Sequence, residues 1–153
     1  MPNAKIIHRG KMVFEGNSGS GHQVLMDSSP EVGGENKGIR PMEMVLLGLG
    51  GCTGIDVVSI LNKMRIPFDS FEIEVLGKRA ADHPKVYEHV TTRYAFAADA
   101  QYADKIIRAV SLSQEKYCSV SAMVAKSAHI DAEVYINGEK ATTLSYDVAG
   151  DKG

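Results

Sequence analysis

Residues 41–64 read Pro41-Met42-Glu43-Met44-Val45-Leu46-Leu47-Gly48-Leu49-Gly50-Gly51-Cys52-Thr53-Gly54-Ile55-Asp56-Val57-Val58-Ser59-Ile60-Leu61-Asn62-Lys63-Met64. A proline at the start suits the first turn of a helix, where its missing N–H has no partner to lose. The residues after it are apolar on nearly every face of a helical period, which predicts a helix buried all round rather than one lying on a surface. Gly48, Gly50, Gly51 and Gly54 each weaken helix propensity. A partner helix packed tightly against this one is the compensation they predict. The longest uninterrupted apolar run, Met44 to Leu49, is far shorter than the roughly 20 residues needed to cross a bilayer.

Upstream, residues 4–15 and 23–28 read as two strands separated by turn material from Gly16 to Gly21, and residues 29–40 read as a mobile loop rich in Ser, Pro, Gly and Asn. Downstream, Pro67 closes the helical unit. Phe71, Ile73 and Val75 alternate with Glu72 and Glu74, and Val86, Val90, Tyr94 and Phe96 share one face of a second strand. Residues 101–114 carry helical spacing at Ala103, Ile106, Ile107 and Val110. Cys118 opens a short helix over 119–127. Ile130, Ala132, Val134 and Ile136 alternate as a strand. Asn137-Gly138 is a hairpin turn signal, and Leu144, Tyr146 and Val148 mark a return strand before a frayed end. Strands, a long helix, strands, helices and a strand in that order give an α+β class, not a doubly wound sheet.

A length of 153 residues predicts a single domain over 1–153, with 137–153 as its hairpin and tail. The net charge of -2 and the lack of a basic block argue against nucleic acid and anionic membrane as partners. The start, Met1-Pro2-Asn3-Ala4-Lys5, has no apolar signal core, which points to a cytoplasmic protein. The five histidines show no ligand spacing, and two cysteines 66 positions apart do not make a zinc motif, so no metal is expected.

The cysteines admit two readings each. A cysteine inside a buried helix is most often a small hydrophobe, and on base rates this favours an inert Cys52. Neighbouring glycines that leave room for a ligand or a second thiol argue the other way. Asp56 lies one turn further along the same face. As an anion it disfavours a thiolate beside it, and capping or bonding a neighbouring segment is the role its position predicts. Cys118, flanked by polar residues and Lys116, reads either as a boundary residue or as a thiol at a helix N-terminus, where the dipole favours a thiolate.

Two motifs resemble one family. Pro41-Met42-Glu43 through Gly50-Gly51-Cys52 resembles a first motif in which a proline and an acidic residue open a helix that delivers a cysteine, and Lys116-Tyr117-Cys118-Ser119-Val120-Ser121 resembles a second built on Cys-Pro-x-Ser. Together, at this separation, they resemble the osmotically-inducible-protein-C / organic-hydroperoxide-resistance (OsmC/Ohr) family over residues 1 to about 136, most closely its YhfA-like branch. The resemblance implies an OsmC-like fold and an intertwined homodimer, its long central helices wrapped by antiparallel-rich sheets. It also implies that Cys52 attacks a small organic hydroperoxide and that Cys118 resolves the sulfenic acid. An external dithiol such as a lipoyl group is the reductant, and no bound cofactor is implied.

Two departures follow from the same comparison. The family's peroxidases hold the thiolate with an arginine after the first strand, and the segment Gly16 to His22 has none. Arg40, Arg9 and His22 are candidate substitutes. The family's glutamate directly follows the proline, whereas here Met42 stands there and the acid is Glu43. Three functions therefore compete: a weakened hydroperoxide reductase, a non-catalytic relative binding a small apolar or thiol-reactive ligand at the dimer interface, and a pair of merely structural thiols.

Overall fold

In the computed structural model, which describes residues 1–149, the chain divides into the units Met1–Val45 and Leu46–Gly153. In the first unit, strands β1 (Ala4–His8), β2 (Phe14–Ser18) and β3 (Gln23–Met26) form an antiparallel meander. The sequence predicts one strand over 4–15, but the chain reverses inside it. Gly10 and Lys11 take positive φ angles of 101° and 47°, and the Val13 N–H closes the turn on the Gly10 carbonyl at 3.0 Å. Gly16 to Ser18, read as turn material, is therefore strand. The loop at 29–40 is more organised than its composition indicates. Buried Asp27 accepts the backbone N–H groups of Ser28, Glu35 and Lys37 at 2.8, 2.9 and 3.1 Å. The Glu35 and Lys37 bonds, ahead of the others, hold its carboxyl below the usual range.

Helix α1 runs Pro41–Met64, as the sequence predicts. Glu43 reaches back to accept the Arg40 N–H at 3.0 Å, the glutamate half of a capping box.

In the second unit, β4 (Ser70–Arg79), β5 (Tyr87–Ala97), β6 (His129–Ile136) and β7 (Glu139–Tyr146) form a sheet in the order β4-β5-β6-β7. Both outer pairings are antiparallel; β5 and β6 run parallel, joined through α2 (Ala103–Leu112) and α3 (Ser119–Val124). Asn137 and Gly138 both have positive φ, 52° and 86°, as a two-residue hairpin between β6 and β7 requires. Residues 150–153, which include the expected frayed end, lie outside the described residues. The alternating positions form the core: Tyr94, Phe96, Ala132 and Val134 from the sheet meet Val57 and Leu61 of α1 and Ile106, Ala109 and Val110 of α2. Phe71 stacks on Phe96 with centroids 4.1 Å apart. Val86 falls outside β5 and is exposed.

α1 corrects one expectation. Within this chain it is not buried all round. Leu49, Thr53, Val57 and Leu61, four apart, form a buried stripe, while Leu47, Gly51 and Ile55 lie on an open one, Ile55 74% exposed. Gly50 and Gly54 face β4, where a Cβ would come within 3.2 Å of Val75 and of Ile73; a Cβ on Gly48 or Gly51 would meet nothing within 4 Å among the described residues. α1 also averages a hydropathy of 1.9 over an 18-residue window, so by length and composition alone it would cross a membrane. Counting uninterrupted runs missed this because glycines and Thr53 dilute the run without making it polar. The packing of its inner stripe into the core is what a core helix of a folded domain shows.

The parallel register corrects another. It sets His89 opposite His129, so two histidines 40 positions apart meet beside Asp131, a grouping their spacing did not announce.

Candidate functional site

Cys52 and Asp56 project from one face of α1, a turn apart, as their spacing requires. Cys118 comes from the other side of the core. Residues Ser113–Tyr117 continue α2 as a single π-turn, in which the Cys118 N–H donates to the Ser113 carbonyl at 2.8 Å. Such one-turn widenings recur at functional positions. Cys118 then caps α3, its sulfur accepting the Ser121 N–H at 3.4 Å. The outcome is that Cys52, Asp56 and Cys118 present ligating atoms within 4.8 Å of one another, with both thiols free.

The thiols differ in environment. Cys52 is half-buried, whereas Cys118 is 3% exposed. Burial pushes the Cys118 thiol up, and the neighbouring Cys52 adds to this; the Ser121 hydroxyl and N–H pull back part of it. Cys118 does stand at a helix start, but the thiolate is not favoured there. Desolvation outweighs the few N–H groups of a six-residue helix, and the thiol is favoured over the thiolate.

Asp56 is not left unpaired on its apolar helix. Ser113 donates to its Oδ2 at 3.1 Å. A hydroxyl has one proton, so Ser113 must accept at its 2.8 Å contact with Thr53, and Thr53 in turn accepts from Tyr94 at 2.8 Å. The Gln114 amide donates to the Tyr94 hydroxyl at 2.6 Å. Every donor therefore points toward the Asp56 carboxylate. Thr53, Tyr94 and Ser113 are 0% exposed, and burial, partly offset by hydrogen bonding with Thr53, Thr92 and Gln114, raises the Tyr94 phenol above its ordinary range. The sequence marks Tyr94 only as one face of a strand and gives no role to Thr53, Ser113 or Gln114. A serine and a glutamine at the end of an amphipathic helix look like a solvated terminus until the fold sets them against α1.

Arg40, Glu43 and His22 belong to the first unit. Glu43 caps α1, Arg40 donates from Nη1 to the Gly38 carbonyl at 3.0 Å, and exposed His22 contacts Ser20 through Nδ1 at 3.2 Å. Arg9 pairs with Glu15 at 3.1 Å.

The site brings together two free thiols, one half-buried and one enclosed, beside the Asp56 carboxylate. The same atoms are a donor set of the kind zinc takes, although a Cys118 held as thiol opposes coordination. In front of α1 lies an open apolar cleft of about 820 Å³, lined by Leu47, Gly51, Ile55, Phe71, Ile73 and Val75.

Residues 34–133 match the family model described as OsmC-like protein. The chain is 40% identical over 119 residues to Protein YhfA of Escherichia coli (strain K12), covering 78% of this chain and 86% of that one. Among solved structures, a hypothetical protein from Aquifex aeolicus VF5 superposes with a TM-score of 0.73 at 33% identity, over 90% of this chain and 98% of that one. An organic hydroperoxide resistance protein from Elizabethkingia anophelis, with crystallant-derived thiocyanate bound, shares the fold at a TM-score of 0.69 and 12% identity, over 90% and 96% of the two chains.

Proposed function

Since the chain belongs to the OsmC-like family, we propose that it is a thiol-dependent hydroperoxide reductase with Cys52 as the attacking residue and Cys118 as the resolving one. The observation that carries this reading is the meeting of two free thiols, 66 positions apart in sequence, within 4.8 Å. In the first step the Cys52 sulfur attacks a peroxide oxygen, the O–O bond breaks, and the alcohol leaves with a proton while sulfur is oxidised to a sulfenic acid. The Cys118 sulfur then attacks Cys52, an S–S bond forms and water leaves. An external dithiol, such as a lipoyl group, restores both thiols by exchange and is itself oxidised to a disulfide.

The difference in burial supports the order. Peroxide reaches the half-exposed thiol first, and the enclosed thiol is spared overoxidation until a sulfenic acid forms beside it. Without the family's arginine in the segment Gly16 to His22, the turnover is slower than in members that have it. The protein works in the cytoplasm as a single domain paired in a homodimer, needs no bound cofactor, and takes small organic hydroperoxides.

The homodimer reading rests on the open stripe of α1. An apolar cleft lined by Gly51, whose Cβ position is free, suits a second copy of the same helix. Gly51→Leu should leave the single chain folded and turn a dimer into a monomer in sedimentation velocity. An unchanged dimer would sink the helix crossing. If the cleft instead binds a small apolar ligand, the protein is a non-catalytic relative.

The activity test combines cumene hydroperoxide, a lipoyl-type dithiol and purified protein, with intact mass followed in parallel. Turnover, with a loss of about 2 Da on peroxide treatment that Cys118→Ser abolishes, is expected. Full turnover in Cys52→Ser would overturn the assignment.

A further inference from the structure

Away from the thiols, the solvent-facing side of the sheet carries a second grouping of ligand-type side chains. On β6, Ile130, Ala132 and Val134 point into the core, so His129 and Asp131 point out. The parallel register brings His89 of β5 alongside. His89 Nε2 lies 2.8 Å from Asp131 Oδ2, and His129 Nε2 lies 3.0 Å from Asp131 Oδ1. The two imidazoles stand nearly perpendicular, at 78°, with centroids 5.1 Å apart. Both rings thus turn the same nitrogen toward one carboxylate, and the three ligating atoms lie within 4.8 Å of one another.

The outer atoms of this group are also arranged. His129 Nδ1 faces Asp147 at 3.0 Å, and Ser145 donates to Asp131 Oδ1 at 2.6 Å. Carboxylates only accept, so both Nε2 atoms carry protons toward Asp131 in the metal-free chain; a bound ion would take the place of those two protons, while Asp147 keeps the proton on His129 Nδ1.

We propose that His89, His129 and Asp131 form a binding site for a divalent first-row transition-metal ion, with Asp147 orienting His129. Two imidazoles and one carboxylate match the ligand preferences of zinc, nickel or copper rather than those of magnesium or calcium. Ligands bonded at ~2.0–2.1 Å to a tetrahedral ion stand about 3.3 Å apart, and the two imidazole–carboxylate separations of 2.8 and 3.0 Å lie near this. An ion there would replace the two imidazole–carboxylate contacts with metal–ligand bonds and cross-link β5 to β6. At least one coordination position would be left to water, since the side chains of His89 and His129 are 44% and 31% exposed. Neutral imidazoles are required, so binding releases protons and weakens as pH falls.

The test uses untagged protein and zinc alone. Titration calorimetry should give one ion per chain, with affinity falling at least ~10-fold in His89→Ala and again in His129→Ala, but unchanged in Cys52→Ser. In wild-type protein, ¹⁵N imidazole spectra should show zinc shifting Nε2 of His89 and His129 while His8, His22 and His83 stay in place. The spectra decide the matter even if a histidine variant folds poorly. Binding lost in Cys52→Ser and kept in His89→Ala would move the ion to the thiols and overturn the proposal. So would the absence of any imidazole shift up to about 1 mM zinc.

Discussion

Ser113 gives its hydroxyl to Asp56 and its carbonyl to the Cys118 N–H, so one residue fixes both a carboxylate on α1 and the thiol that faces it. Removing the hydroxyl leaves the buried Thr53 and the Asp56 carboxylate short of a partner. Ser113→Ala should therefore cost about 1–3 kcal/mol in denaturant unfolding. The lost Ser113–Asp56 bond lies beside both thiols, so the variant should also change the rate of disulfide formation. A loss of stability with an unchanged rate would make Ser113 only structural. Cys118 itself yields a pH prediction. Its thiol is raised by burial, so the folded state holds the proton more tightly than the unfolded chain. The stability this contributes is complete below the ordinary thiol pKa of ~8.5 and is lost as pH rises through the higher folded value. Alkylation of Cys118 in the folded protein should lag behind that in denaturant at pH 8 and catch up only in stronger alkali. Equal rates at pH 8 would show that burial does not protect it.

At the scale of elements, the register of β4 on β5 sets a steric limit. Gly77 lies beneath the Tyr87 ring, where a Cβ would come within 2.4 Å of Cε1 and 2.6 Å of Cδ1. Tyr87 is only 6% exposed and the ring has little room to move. Gly77→Ala should cost ~1–3 kcal/mol by overpacking, whereas Gly51→Ala, with open space around it, should be neutral or gain up to about 1 kcal/mol in an isolated chain. Comparing the two melting points checks this; equal effects would mean that the strand adjusts. The contrast also shows what could be read in advance. Four glycines in α1 look alike in sequence, yet two face strand side chains and two face open space. Helical phase assigns their faces only once the sheet's position is known.

For the molecule as a whole, the proposed homodimer makes stability a function of concentration. If α1 buries its Leu47–Gly51–Ile55 stripe against a second copy, folding and association are linked, and the urea midpoint should rise with protein concentration. A midpoint independent of concentration would mean that the open stripe is covered by something else.

The long helix, its proline start, the alternation of the strands, the hairpin at Asn137-Gly138, the α+β class and the pair of cysteines are legible in the chain itself, because each is written in local spacing or in a short motif. The early turn at Gly10 and Lys11 leaves only a faint local signal, because Lys11 is an unusual residue for a positive φ and its neighbours are polar. Tertiary structure alone decided the rest. The β5–β6 pairing is parallel and crosses two helices, so no local pattern could announce that His89 would meet His129. Likewise the π-turn after α2, which places Cys118 against Cys52 and binds Asp56 through Ser113, depends on contacts between residues more than fifty positions apart. Side-chain chemistry is carried by the chain, but which groups share a site is set by packing, and packing is a property of the whole fold.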